Sequence, residues 1–306
     1  MIEVRDLEHL LSLDEHRHFG RAAAAVGLTQ PALTKSLKRL EAELGTKLFD
    51  RSRARVAPTP IGQEVISRAR GIVGGVAELT RAVDLMRGLN IGQLALGVGP
   101  AMSESYVTDA LARVANDNPQ ARISVRVDHW RQLTEWLLAG EIDLYVADIT
   151  EASEDERLDC TPLPAEELVW FCRAGHPPPA PTSVARGDIL SYPIATPRMP
   201  RWARSWFAEA FGDETPARPT DSLATVECEY YPMLKRIVLT SDSISAALPS
   251  TIRSELDDGD LVALPLDAPS LTTLAGIVQL RDRTPSPLAE TVSAAIRAEA
   301  QQLLAP

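Results

Sequence analysis

The sequence predicts a multidomain α+β chain. It has an N-terminal all-α head built as a winged helix-turn-helix, a long linker helix, and a C-terminal α/β part in two lobes. Three observations predict it. Capping and helix-breaking residues divide the first 60 residues into short helices, an apolar heptad runs from Val65 to Met86, and strand-like runs alternate with helical ones from Gln93 onward. At 306 residues and 45% apolar content the chain can support several cores.

Leu7, Leu10, Leu11 and Leu13 give a helical apolar pattern over residues 5–16. A second helix fits Gly20 to Val26, where Ala22 to Ala25 permit close packing, and Gly27 is suited to end it. Thr29 reads as an N-cap with Pro31 in the first turn, so the order helix, Val26-Gly27-Leu28-Thr29, helix is that of a helix-turn-helix. With Gln30 set at 0° and about 100° per residue, Leu33, Leu37, Leu40 and Leu44 fall between about 280° and 340°. Thr34, Lys38, Lys35 and Arg39 fall between about 40° and 180° on the same scale, a basic face beside an apolar stripe. Gly45 closes the helix.

"LFDRSRARVAPTP" follows. Arg51, Arg53 and Arg55 are two apart, which in an extended segment places them on one side, as a basic wing beside a groove-reading helix would need. The whole chain carries a formal −11, but residues 1–60 hold ten Lys/Arg against eight Asp/Glu, so the acidity lies in the remainder. A local basic excess on an acidic chain points to nucleic acid where overall charge does not.

The string "FGRAAAAVGLTQPALTKSLKRLEAELGTKLFDRSRARVAPTPIG" resembles the winged helix-turn-helix of LysR-type transcriptional regulators. The likeness rests on the paired alanines, Gln30-Pro31, Leu40-Glu41, Leu44-Gly45, Leu48-Phe49, Arg51, Thr59 and Gly62. It departs at His18-Phe19-Gly20-Arg21, where that family usually has Ser-Phe and a small polar residue. The resemblance implies that Gln30, Pro31, Thr34, Lys35 and Lys38 face the major groove of double-stranded DNA, with Arg51, Arg53 and Arg55 serving the wing.

Thr59-Pro60 is a second cap-plus-proline start. Val65, Ala69, Ile72, Val76, Leu79, Val83 and Met86 then repeat at alternating spacings of four and three, an a/d seam that predicts a two-helix contact and a homodimer on a two-fold-related promoter site. Gly71, Gly74 and Gly75 weaken this helix by about 1 kcal/mol each relative to alanine, so it gains from a partner. The family also forms homotetramers and, by the same resemblance, works with RNA polymerase.

In the remainder, "QLALGVG", "RISVRVD" and "DLYVADI" form a first strand group, with helices from about Ser103 and around Trp130–Leu138. "ELVWFCRAG", "SYPIA", a helix around 201–211, "SDSISAALP" and "LVALPL" form a second. "LAGIVQL" and a helix from Pro287 to Leu304 close the chain. The expected domains are 1–58, 59–90 and 91–306, with lobe 1 at about 91–163 and 269–306 and lobe 2 at about 164–268. Here the looser resemblance is to the family's effector-binding region, which is periplasmic-binding-protein-like. Ligands in such sheets bind beyond the carboxyl ends of strands. The candidates are Pro100, Met102 and Ser103, with free N–H groups and a hydroxyl to hold a carboxylate; His129 and Asp148, beside Asp128; and Thr196, Arg198 and Arg201, beside Met199. Asp148 would repel an acidic effector at close range, unless it pairs with Arg198 or Arg201 or accepts hydroxyls of a polar ligand such as a sugar acid, and the sequence leaves these open. Ser241, Asp242 and Ser243 stand where the family is glycine-rich and suggest a polar ligand.

No GxSxG, GxGxxG before a helix, P-loop or HExxH occurs, so no enzyme and no cofactor is expected. Cys160, Cys172 and Cys228 lack metal-ligand spacing and read as free thiols. His9, His16 and His18 read as surface residues. No membrane-length apolar run and no signal-peptide core occur, which points to the cytoplasm. Two functions remain open: a DNA-binding regulator sensing a small polar or acidic metabolite, and a cytosolic solute-binding protein with an N-terminal helical assembly module.

Overall fold

The computed structural model describes residues 2–52, 55–86, 92–177, 189, 191–198, 203–206, 209, 224–265 and 271–303, with the backbone alone at 51, 52, 55, 77, 78, 80–82 and 84–86. The chain divides into two compact units, residues 1–91 with 134–143, and 92–133 with 144–306.

In the first unit, helices α1 (Val4–His16), α2 (Phe19–Ala25) and α3 (Gln30–Leu44) are followed by a hairpin, β1 (Phe49–Ser52) and β2 (Arg55–Pro58), and by the long helix α4 (Pro60–Met86). Gly27 and Gly45 take left-handed φ values of 67° and 66°, which explains glycine at both helix ends. The core joins Leu7, Leu10 and Leu13 of α1, Ala22 and Ala23 of α2, Leu33, Leu37 and Leu40 of α3, Leu48, Phe49, and Ile66 and Ala69 of α4. The predicted stripe of α3 is therefore its buried side, except that Leu44 is exposed.

Two caps differ from expectation. Thr29 makes no capping hydrogen bond, and Pro31 in the first turn is the start signal that operates. At α2 the cap is His18, whose Nδ1 accepts from Gly20 N (3.1 Å) and Arg21 N (3.3 Å). The departure from the family pattern thus supplies the acceptor that a serine would. At α4, Thr59 Oγ1 accepts from Gly62 N (2.9 Å) as expected. A Cβ added at Gly62 would lie 2.0 Å from the Leu48 carbonyl oxygen. Gly62→Ala should therefore cost the head about 1–3 kcal/mol through forced backbone movement. A chemical denaturation midpoint unchanged from wild type would contradict that close approach.

The hairpin corrects the wing geometry. β1 and β2 pair antiparallel, with Ser52 opposite Arg55 and Arg51 opposite Val56. Opposite positions share a face and neighbours along a strand alternate, so position 55 lies on the face of 52 and not on that of 51. Arg53 lies outside the described residues.

The second unit contains β3 (Gln93–Val98), α5 (Tyr106–Asp117), β4 (Arg122–Val127), the start of α6 (Trp130–Leu138), β5 (Leu144–Asp148), β6 (Leu158–Pro162), β7 (Glu166–Glu167) and β8 (Val169–Arg173). These are followed by β9 (Ala195–Thr196), β10 (Val226–Glu227), α7 (Tyr231–Thr240), β11 (Ser245–Ala247), α8 (Arg253–Asp257), β12 (Leu261–Leu264), β13 (Thr272–Thr273), β14 (Ala275–Leu280) and α9 (Pro287–Leu303). One sheet has the order β4-β3-β5-β14-β6, parallel among β4, β3 and β5 and antiparallel at β14, so the C-terminal strand returns to the first group. Its core runs through Leu94, Leu96 and Val98 to Val107, Ala110 and Val114 of α5 and Val292 and Ile296 of α9. A second sheet, β11-β8-β12, is antiparallel, and β9 and β10 form a short parallel pair. The first helix starts at Tyr106, because a 3-10 turn over Pro100–Glu104 intervenes. Helix α7 is an addition to the elements expected. The helix expected around 201–211 is described only at 203–206 and 209.

Candidate nucleic-acid interface and effector site

On α3, Gln30, Pro31, Lys35 and Lys38 are exposed and Thr34 is half-buried. The Thr34 hydroxyl donates to Gln30 O (2.8 Å), which leaves its methyl and its acceptor lone pairs for a partner. Arg39 is different. Its Nη2 lies 2.5 Å from Asp6 Oδ1 on α1, and the same oxygen accepts from Ser36 Oγ (2.8 Å). His9 is buried, not superficial, and its Nδ1 lies 2.7 Å from Ser36 Oγ. Since Ser36 donates to Asp6, the His9 Nδ1 must carry the proton in the bond to Ser36. Burial holds the His9 pKa below its ordinary value, against the neighbouring carboxylates. Burial raises the Asp6 pKa, but the hydrogen bonds from Arg39 and Ser36 outweigh it and the net shift is downward.

At the strand ends of the second unit the expected N–H groups are already engaged. The amides of Met102 and Ser103 donate to Gly99 O (2.9 and 3.2 Å), and Ser103 Oγ donates to Pro100 O (2.7 Å). Met102 is buried in the core and its sulfur accepts from Tyr106 Oη (3.4 Å), so its side chain is a packing residue rather than a ligand contact. The physical reason is the 3-10 turn, which bonds back to Gly99 instead of opening a helix N-terminus there. Lys235 of α7 pairs with Glu104 at the end of this turn and with Glu255 of α8 (2.7 Å to the latter).

His129 and Arg198 are brought together by a residue the sequence did not single out. Glu229 Oε1 accepts from Arg198 N (3.2 Å), and its Oε2 lies 3.3 Å from His129 Nε2. Thr196 O accepts from Cys228 N (3.1 Å), which ties the ends of β9 and β10 and sets Glu229 in place. Arg201 and Met199 lie outside the described residues.

Asp148, at the end of β5, accepts from Thr150 N through Oδ1 (3.0 Å). Its Oδ2 is buried with no hydrogen-bond partner, so Asp148 does not pair with Arg198. Burial pushes the Asp148 pKa up, with the Thr150 hydrogen bonds only partly offsetting it. A carboxylate whose pKa is raised on folding binds more protons in the native state. Stability therefore falls as pH rises from the ordinary carboxylate range through the raised value. Asp148→Asn should stabilise the second unit by about 1 kcal/mol at neutral pH, or ~2–4 °C in Tm, and the gain should vanish at acid pH. Equal or lower Tm for the variant at pH 7 would contradict this.

Ser241, Asp242 and Ser243 each hold a partner within the fold. Ser241 Oγ donates to Ile237 O (2.7 Å), Asp242 Oδ1 pairs with Arg173 Nη2 (2.7 Å), and Ser243 Oγ lies 2.9 Å from Ser241 Oγ. The three cysteines are free. Among the described residues no helix is long and apolar enough to cross a membrane, and no cluster of metal-ligating side chains occurs.

Comparison with known proteins places these features. Residues 4–63 match the family described as "Bacterial regulatory helix-turn-helix protein, lysR family", and residues 87–301 match "LysR substrate binding domain". The chain is 36% identical over 297 residues to the SDS degradation transcriptional activation protein of a Pseudomonas species, covering 95% of this chain and 94% of that protein. It is 28% identical over 304 residues to the HTH-type transcriptional regulator GbpR of Azospirillum brasilense, covering 97% and 86%. In fold it resembles a full-length OxyR variant from Pseudomonas aeruginosa (TM-score 0.65, 22% identity, 97% and 95% covered). It also resembles CbnR, a LysR family transcriptional regulator (TM-score 0.61, 17% identity, 98% and 99% covered). Matched in both its N-terminal and its larger C-terminal part, the chain belongs to the LysR family: it is a DNA-binding transcriptional regulator with an effector-binding domain.

Proposed function

We propose that this regulator binds a two-fold-related promoter site as a homodimer held by α4, reads bases with Gln30 and Thr34, and takes charge from Lys35 and Lys38. The observation that carries this reading is the division of α3, with Leu33, Leu37 and Leu40 buried and the polar and basic residues turned outward. Arg51, Arg53 and Arg55 serve as wing cations. RNA polymerase is the partner through which the bound dimer acts, in the cytoplasm.

The effector site lies among Pro100, Ser103, His129, Asp148, Thr196, Arg198 and Arg201, with Glu229 added and with Met102 supporting from beneath. An effector that binds one arrangement of the domain more tightly than another shifts the spacing of the two DNA-binding heads, by no more than that difference in affinity allows. The Pseudomonas relative named for SDS degradation makes alkyl sulfates the first compounds to screen, followed by organic acids, sugar acids and aromatics.

The test is titration of the full chain onto its own upstream DNA at several salt concentrations, followed by footprints with and without any compound that raises Tm. A log–log slope of about −0.9 per neutralised phosphate is expected. Binding without salt dependence, or footprints that an effector leaves unaltered, would sink the corresponding half of this reading.

A further inference from the structure

Arg39 presents a puzzle that the DNA-binding role leaves open. It lies one helical turn beyond Lys35 on the basic side of α3, and its side chain is about half exposed (52%), yet its guanidinium is turned back onto α1. There it meets Asp6, which is 1% exposed and is fixed from three directions. Asp6 Oδ1 accepts from Arg39 Nη2 and from Ser36 Oγ (2.8 Å), Oδ2 accepts from Glu3 N (3.4 Å), and His9 Nδ1 supports Ser36 from 2.7 Å.

We propose that Asp6 is a specificity-determining positioning residue: it withholds Arg39 from the phosphate backbone and, through Ser36, fixes the rotation of the recognition helix against α1. A buried carboxylate left without its cation is strongly disfavoured, by more than one exposed phosphate contact returns. The guanidinium therefore stays on Asp6 when DNA binds. Phosphate contacts add affinity for every sequence alike, and base contacts add it only for the right one. Withholding one cation per protomer lowers non-specific binding while leaving Gln30 and Thr34 to discriminate. The bonds to Ser36 and Arg39, three residues apart on one helix, also resist rotation of α3 about its axis, which keeps Gln30 and Thr34 aimed at base edges.

The experiment uses the full-length protein, its own upstream DNA and a random-sequence duplex of equal length, with affinities measured by fluorescence anisotropy from low to moderate salt. Asp6→Asn keeps the shape and frees Arg39. It should steepen the salt slope on random duplex by about 0.9 per protomer, tighten that binding several-fold, and narrow the ratio between upstream and random DNA. Arg39→Gln should leave the slope at its wild-type value, and the double variant should return to it. An Asp6→Asn slope equal to or shallower than wild type would overturn the proposal, because a merely structural aspartate would weaken binding to both duplexes without adding a phosphate contact. Should Asp6→Asn fail to fold, Arg39→Gln decides alone: an unchanged slope supports the proposal, and flattening by about 0.9 per protomer overturns it, since Arg39 would then already hold a phosphate.

Discussion

A Leu79→Asp chain should be monomeric at micromolar concentration and should bind its promoter at least ~100-fold more weakly than wild type. The heptad along α4 divides in two. Val65 and Ala69 pack with the helix-turn-helix core, whereas Ile72, Val76, Leu79 and Val83 stay exposed, Leu79 at 67%. An apolar stripe of this length on one face of a 27-residue helix fits a second copy of the same helix. Burying Leu79 contributes about 1.5–3 kcal/mol, and a two-fold axis counts it twice, so its loss costs roughly 3–6 kcal/mol of dimer stability. Facing carboxylates add repulsion. At about 1.4 kcal/mol per factor of ten, the dimer dissociates at least ~100-fold more readily, and each head is left to bind its half-site alone. Sedimentation equilibrium and anisotropy on the upstream DNA check both parts. A Leu79→Asp protein that remains dimeric with unchanged affinity would rule out α4 as the seam.

The elements most legible in the sequence are those whose causes are local. Gly27, Pro31, Gly45 and the cap at Thr59 mark helix ends, and the leucine period marks the buried side of α3. The relations that escape it depend on distance along the chain. Asp6 and Arg39 are 33 residues apart, so nothing near Arg39 says that its charge is neutralised. His9 reads as superficial because its partner, Ser36, comes from another helix. Arg51 and Arg55 sit on different strands of the hairpin, so their faces follow from the pairing of Ser52 with Arg55, which their spacing along the chain does not reveal. Among the candidate effector residues, His129, Thr196 and Arg198 are legible because strand ends are recognisable, but Glu229 follows a strand of only two residues, too short for any periodic signal. Met102 and Ser103 fall in a 3-10 turn whose bonding to Gly99 takes up the N–H groups that a helix start would leave free.

Gln30→Ala and Lys35→Ala should weaken promoter binding for different physical reasons, and one experiment separates them. Gln30 stands in the first turn of α3, where a side chain reaches base edges, and glutamine can make a bidentate pair with adenine. Its loss should cost about 1–3 kcal/mol per half-site on the upstream DNA, roughly 5- to 150-fold for each half-site, while affinity for random duplex and the salt slope stay near wild type. Lys35 is exposed, and its expected part is charge alone. Its loss should flatten the slope by about 0.9 per protomer and lower affinity for upstream and random DNA by similar factors. Neither substitution touches the core, since both residues are exposed, so thermal stability and effector-induced shifts in Tm should be unchanged. If instead Gln30→Ala weakens both DNAs equally, the first turn of α3 is not where sequence is read. Discrimination would then rest on Thr34 or on the shape of the DNA beneath the wing.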